Sequence, residues 1–244
     1  MREVNKKIGL IIQARMGSTR LPGKSNLKIS GLTVLNWVIN TAKSIDGVNC
    51  VILATSKNKN CDCLEELANK ENIYCIRGSE NNVLSRYINA IKTYNLDYVI
   101  RITGDDICQD PLFIENSLYD FFDQNCDYMR SSTDDLPLID GLIFEIFRSR
   151  LLLDISKKED LSNLDKEHVT LYIRNKKIKF KQGFIKIEKI PKIFFDEFKF
   201  KLCVDTFDDF RNLEDSWSYK ISKKNFKIGN TQKIISNIKN RYID

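Results

Sequence analysis

Three cationic side chains fall within ten residues of each other, at Arg15, Arg20 and Lys24, in the stretch Gln13-Ala14-Arg15-Met16-Gly17-Ser18-Thr19-Arg20-Leu21-Pro22-Gly23-Lys24. Gly17, Ser18 and Thr19 permit a tight turn whose backbone N–H groups can face an anion, and Pro22-Gly23 sets a bend. Such a loop suits a triphosphate. It is neither a P-loop, since GxxxxGK[ST] is absent, nor a GxGxxG dinucleotide fingerprint. The bland alternative is a basic surface loop, and its position directly after a buried first strand argues against that. Asp105 and Asp106 follow Gly104 at the end of another apolar run, where carboxylates can hold Mg2+ or simply form a turn. Asp205 lies just beyond the run 198–204, as a second carboxylate at a strand end or as a helix cap with Thr206. His168, the only histidine, reads as a group that orients an acceptor or packs at a helix start rather than as a proton carrier. Arg77, Arg86, Arg101 and Arg174 suit phosphate or carboxylate contacts, and ordinary ion pairs explain them equally well.

The elements that must position these groups alternate along the first half. Short apolar runs at 8–13, 50–55, 73–77 and 98–103 predict strands buried on both faces. Helical spacing predicts helices at 33–44, 61–70 and 82–94. This alternation implies βαβ units with right-handed crossovers and a doubly wound, mostly parallel α/β sheet. Ligands of such sheets sit at the carboxyl ends of the strands, where both residues 14–24 and 104–106 fall. In the second half, strands are expected at 142–147, 177–186 and 198–204, and helices at 165–175, with Asp165 as cap, and 206–217. Residues from about 132 to 195 read as an inserted α+β segment covering one edge of a single domain that spans 1–244.

Composition removes several classes. With 42% hydrophobic residues and only 10 Gly and 4 Pro, the 244-residue chain is neither collagen-like nor a disordered linker. Apolar runs of about five residues are far short of the ~20 that cross a bilayer, so no membrane insertion is expected. The 7 cysteines lack paired CxxC spacing and read as reduced thiols of a cytoplasmic protein. The net charge of +6 sits in the tail: seven basic residues and one acid lie between 218 and 244. Ile234, Ile235, Ile238 and Tyr242 share one helical face there, which predicts a basic C-terminal helix at about 231–242 with its lysines in water. The alternative is a nucleic-acid-binding tail.

The stretch IIQARMGSTRLPGK resembles the loop of the cytidylyltransferases that make CMP-activated sugar acids, and is nearest to the branch of spore-coat polysaccharide biosynthesis proteins. Further similarities follow in order: Gly78-Ser79-Glu80 with Val83-Leu84 and Arg86-Tyr87, then Arg101-Ile102-Thr103-Gly104-Asp105. Glu167-His168-Val169-Thr170 with Tyr172-Ile173-Arg174 and Val204-Asp205-Thr206 with Asp208-Asp209 complete a span of roughly 8–215. Departures are Asp106-Ile107-Cys108 where the family often has Cys-Pro or Glu-Pro, and Asn81 and Asn82 in place of acids. Gly141-Leu142-Ile143-Phe144-Glu145 also lacks one acid of the branch's pattern.

The resemblance implies a Rossmann-like sheet of the nucleotide-diphospho-sugar transferase type and transfer of CMP from CTP to a sugar acid or related acidic acceptor. Pyrophosphate would be released, and the product would feed surface polysaccharide or glycoconjugate synthesis. It implies catalytic roles for Arg20, Lys24 and Asp105, and Mg2+ held by Asp105 and Asp205. Nucleotide binding is implied for Gln13, Ala14, Arg15, Gly17, Ser18, Arg20, Lys24, Thr55, Ser79 and Gly104, and acceptor binding for Glu145, His168 and Arg174. A cytoplasmic homodimer, paired through the inserted segment and binding no nucleic acid, is expected. The alternatives are a metal-dependent glycosyltransferase on a similar sheet and a non-catalytic nucleic-acid-binding protein.

Overall fold

The computed structural model describes residues 6–175, 177–195, 200–217 and 230–243. The first apolar run forms β1 (Ile8–Gln13), buried along its length apart from its last residue. It is followed by a small hairpin of β2 (Lys28–Ile29) and β3 (Leu32–Thr33) and by helix α1 (Val34–Lys43), which Thr33 caps by accepting the Asn36 N–H at 3.1 Å. Then come β4 (Cys50–Ser56), α2 (Asp62–Lys70), β5 (Tyr74–Gly78), α3 (Val83–Tyr94) and β6 (Tyr98–Thr103). Every strand and helix expected in this half forms within a few residues of its predicted ends.

Periodicity did not single out the next two elements, α4 (Pro111–Asp123) and β7 (Tyr128–Arg130). The start signal of α4 was nevertheless present, because Asp110 caps the helix through the Phe113 N–H at 2.9 Å and Pro111 follows it. The expected strand at 142–147 is narrower and later, as β8 (Glu145–Arg148), and is followed by α5 (Ser149–Ile155). The helix expected at 165–175 is two short ones, α6 (Asn163–His168) and α7 (Leu171–Arg174). Ser162, not Asp165, is the cap, and Asp165 returns the bond to close a capping box. The strand at 177–186 shrinks to β9 (Gln182–Gly183).

Residues 200–205 form no strand. Their backbone bonds to loops instead, Leu202 N to Asp140 O at 2.7 Å and Val204 N to Asp105 O at 3.0 Å, and the other residues of the strand expected at 198–204, 198 and 199, lie outside the described residues. Helices α8 (Phe207–Trp217) and α9 (Asn230–Ile243) complete the chain.

Among the described residues the main sheet has seven strands in the order β5-β4-β1-β6-β8-β7-β9. The first four are mutually parallel, whereas β8 runs antiparallel to both β6 and β7. Residues 132–195, expected as an insertion that covers one edge, supply an interior strand, β8, as well as the edge strand β9. Alternation along β1 divides the core: Leu10 and Ile12 pack with α1, α4, α8 and α9, whereas Ile11 packs with α3, α5 and α7. The chain crosses from β5 back to β6 on the far side of β1, so the crevice above β1 and β6 is the topological switch point where open α/β sheets bind ligands.

Candidate functional site

A cleft of about 260 Å³ opens at that switch point, lined by the β1 end and its loop, the start of α3, the β6 end, and Glu167 and His168. Close approach of the two strand ends fixes its floor. Gly104 N donates to Gln13 O at 2.8 Å, and a Cβ at residue 104 would lie 2.6 Å from the Ala14 Cβ. Only glycine lets β6 end against β1 there. Gly23 closes the loop at φ +74°, with its N–H on Met16 O at 3.0 Å, and this folds Lys24 back over the floor.

There two of the loop's three cations, Arg20 and Lys24, meet the two predicted carboxylates, whereas Arg15 pairs with Glu80 at 3.5 Å and Glu167 at 3.6 Å. Lys24 Nζ is bound to Asp105 Oδ2 and lies 3.6 Å from Asp205 Oδ1. Arg20 reaches Asp205 at 2.7 Å, and Lys201 reaches it at 3.1 Å. Burial alone would raise the Asp205 carboxyl, but Lys201, Lys24 and Arg20 outweigh it and hold it below the ordinary carboxylate range. Asp106 faces the other way. Its carboxylate accepts from Thr103 Oγ1 at 2.7 Å, and burial, followed by the neighbouring charge of Asp105, pushes it well above that range.

Among the described residues no cluster of three or more His, Cys, Asp or Glu side chains is placed to hold a metal ion. Asp105 and Asp205 nevertheless converge on one cationic point, now filled by the Lys24 ammonium, and two carboxylates plus substrate phosphates are a sufficient oxygen set for Mg2+. The donor set fits a hard divalent cation.

Of the residues expected to bind nucleotide, Gln13, Ala14, Arg15, Ser18, Arg20, Lys24 and Gly104 line the cleft. Gly17 does not line it and is exposed. Thr55 is fully buried on β4, and its hydroxyl has no hydrogen-bond partner. Ser79 serves the start of α3, its Oγ accepting from Asn82 N at 3.1 Å.

Of the expected acceptor-binding residues, only His168 lines the cleft. Arg174 is exposed away from it, and Glu145, only 1% exposed, lies behind it. The Glu145 carboxylate is occupied by Arg101 at 2.6 Å, Thr170 Oγ1 at 2.7 Å and the Tyr128 hydroxyl. Burial would raise this carboxyl, but the Arg101 charge, the two hydroxyls and Arg174 together hold it low.

Sequence reasoning missed Glu167, which pairs with Arg15 at 3.6 Å, and Lys201 on Asp205. Their partners lie at least 150 and 4 residues away in the chain, and only the first separation hides a pairing from the sequence. Arg86 was one of four arginines with open roles. It is 2% exposed, lines the cleft, and donates to the carbonyls of Ser79, Ala54 and Glu80 at 2.9–3.1 Å. Arg77, by contrast, is an ordinary ion-pair residue on Asp62 and Glu65 of α2. His168 and Thr170 flank Val169, which is buried at φ +57° and ψ −57°, and the Thr170 N–H closes onto the His168 carbonyl. A β-branched residue in that γ-turn is strained, and the turn directs His168 to the cleft and Thr170 to Glu145.

Comparison with known proteins agrees with this geometry. The family described as cytidylyltransferase matches residues 10–233. Spore coat polysaccharide biosynthesis protein SpsF of Bacillus subtilis is 34% identical over 209 residues, covering 84% of this chain and 83% of that protein. A 3-deoxy-manno-octulosonate cytidylyltransferase of Chlamydia trachomatis is 32% identical over 116 residues, 46% of this chain and 43% of that one. Among solved structures, a cytidylyltransferase from Leptospira borgpetersenii superposes with a TM-score of 0.85 at 29% identity, covering 98% of this chain and 96% of the other.

Proposed function

Because the chain belongs to the cytidylyltransferase family and is thus a CTP-dependent nucleotidyltransferase, we propose that it transfers CMP to a sugar acid or related acidic acceptor for surface polysaccharide or glycoconjugate synthesis. The observation that carries this reading is the junction of the Arg15–Lys24 loop with Asp105 and Asp205 above the sheet's switch point. Nucleotidyl transfer requires no protein nucleophile. An acceptor oxygen attacks the α-phosphorus in line, the bond to the β-phosphate oxygen breaks, and pyrophosphate leaves. Positioning and charge neutralisation therefore supply most of the rate.

In this reading Arg15, Arg20 and Lys24 take the triphosphate, with the loop N–H groups around Ser18 assisting. Gly104 lets the nucleotide approach the β1–β6 floor. His168, with Glu167 beside it, faces the acceptor. Asp105 and Asp205 would hold Mg2+, which supplies charge neutralisation on the phosphates when bound. Pairing through the inserted segment, where Phe184 and Ile187 are 65% and 63% exposed, supports a homodimer. The cysteines are all free, in keeping with a reducing cytoplasm.

The test is pyrophosphate release with each nucleoside triphosphate against a panel of sugar acids, with Mg2+ present or chelated. Turnover with CTP and one acidic acceptor, lost on chelation, is the expected result. Turnover only with neutral acceptors, or equal turnover with and without the metal, would overturn the assignment.

A further inference from the structure

Gln13 is the last residue of β1, and its side chain is fixed from behind the cleft. Arg101 Nε and the Tyr87 hydroxyl each lie 3.2 Å from its Oε1. A guanidinium only donates, so the atom it touches must be the carboxamide oxygen, and the other terminal atom must be the NH2 group. The oxygen has both lone pairs engaged. Among the described residues Nε2 makes no hydrogen bond, yet it is not among the buried polar atoms that lack a partner. Gln13 lines the cleft, so this NH2 is its polar face toward a ligand.

The fixing group is itself fixed. Arg101 is held by Glu145 at 2.6 Å, and Glu145 by the Thr170 and Tyr128 hydroxyls. Burial opposes charge on Arg101, but Glu145, Tyr87 and Tyr128 keep it firmly protonated. A relay of buried, mutually satisfied groups thus runs from the inserted segment to one carboxamide at the cleft wall. Such a network specifies an orientation that an exposed glutamine does not hold.

We infer that Gln13 is a specificity-determining residue whose Nε2 donates to a hydrogen-bond acceptor on a bound substrate, with the Arg101–Glu145 pair as the device that positions it. The inference rests on the cytidylyltransferase reading. The acceptor atom belongs either to the nucleobase, as a ring carbonyl or ring nitrogen, or to an oxygen of the sugar acid. Both are acceptors where a donor is aimed.

Steady-state pyrophosphate release by the full chain, with CTP, UTP and the acidic acceptor varied separately, tests this. Gln13→Met is expected to raise the KM of one substrate about tenfold while kcat stays within about threefold. Gln13→Glu keeps the oxygen that Arg101 and Tyr87 bind but puts an acceptor where the NH2 stood. It should fold like the wild type and raise the same KM further. Glu145→Gln should raise that KM too, and the double variant Gln13→Met/Glu145→Gln should be no worse than Gln13→Met, because both act through one contact.

A raised CTP KM places the acceptor atom on the nucleotide: a narrowed preference over UTP assigns it to the ring nitrogen, which uracil presents as an N–H donor, and an unchanged preference assigns it to the C2 carbonyl that both bases carry. A raised KM for the sugar acid alone places it there. Unchanged KM values for both substrates in Gln13→Met, or full additivity in the double variant, would overturn the inference while leaving the enzyme reading intact. A wild-type chain that releases no pyrophosphate would overturn both.

Discussion

At the scale of single residues, the candidate site is a balance of charges that, on the proposed reading, a bound nucleotide rearranges. Asp205 carries three cationic neighbours and Asp105 shares one of them. On the proposed reading, a triphosphate would take over the lysine and arginine contacts. Replacing Asp105 with Asn should lower turnover by at least ~100-fold, the size of loss seen when charge stabilisation of a transition state is removed. CTP affinity, read by calorimetry, should fall less than the rate. Near-normal turnover in a folded Asp105→Asn protein would remove Asp105 from the mechanism. Lys24→Met keeps much of the side-chain length and removes the charge. The variant should lose turnover while its melting temperature changes little, because this loop side chain is a small part of the core. If Lys24→Met instead unfolds and keeps its rate per folded molecule, the lysine is a structural tie between the two carboxylates.

At the scale of elements, the short helix α6 shows how local signals hold the wall of the cleft that carries Glu167 and His168, the proposed acceptor side. Ser162 caps it and Asp165 answers, with Lys177 at 3.2 Å from the same carboxylate. Burial would raise Asp165, but Ser162 and Lys177 overcome it and hold it below the ordinary carboxylate range. A depressed carboxyl contributes stability that is complete above its unfolded pKa and is lost as pH falls through the lower, folded value. Asp165→Asn should therefore lower the melting temperature at neutral pH, and the gap to wild type should close in strong acid. Ser162→Ala removes the cap at a cost of about 1 kcal/mol, a fall of roughly 2–4 °C for a chain of this size. Either variant should raise the acceptor KM more than that of CTP, since α6 ends in Glu167 and His168. Equal effects on both substrates would place the acceptor elsewhere.

At the scale of the whole molecule, α9 closes the face on which α1, α4 and α8 pack. Ile234, Ile235 and Ile238 are at most 2% exposed, and Trp37 of α1 meets Trp217 of α8 with ring centroids 4.8 Å apart. The helix is amphipathic, with its apolar stripe in the core. Deleting residues from Thr231 onward should lower solubility and melting temperature, with Mg2+-dependent pyrophosphate release persisting in the folded fraction. A nucleic-acid-binding tail would give the opposite pattern: unchanged melting and loss of an affinity that falls steeply with salt. Measuring melting, turnover and DNA or RNA binding at low and moderate salt on one truncation separates the two.

The sequence by itself determined the parallel half of the sheet, because strands buried on both faces leave unbroken apolar runs and their crossover helices leave a 3.6-residue period. It also singled out the basic loop after β1 and the carboxylates Asp105 and Asp205, which the fold brings together at one point. The second half was less legible. Residues 200–205 carry a strand-like pattern, yet their N–H groups bond to Asp140 and Asp105 rather than to a neighbouring strand, and no local signal encodes such a partner. Glu145 shows the same limit. The resemblance implied that this glutamate binds the acceptor. Its register opposite Arg101 on β6 and Arg130 on β7, with Tyr128 and Thr170 above it, instead turned it inward to complete a buried network. Which way a charged side chain faces is set by the partner that repays its desolvation, and that partner, 44 residues away at Arg101, was brought to it only by the tertiary structure.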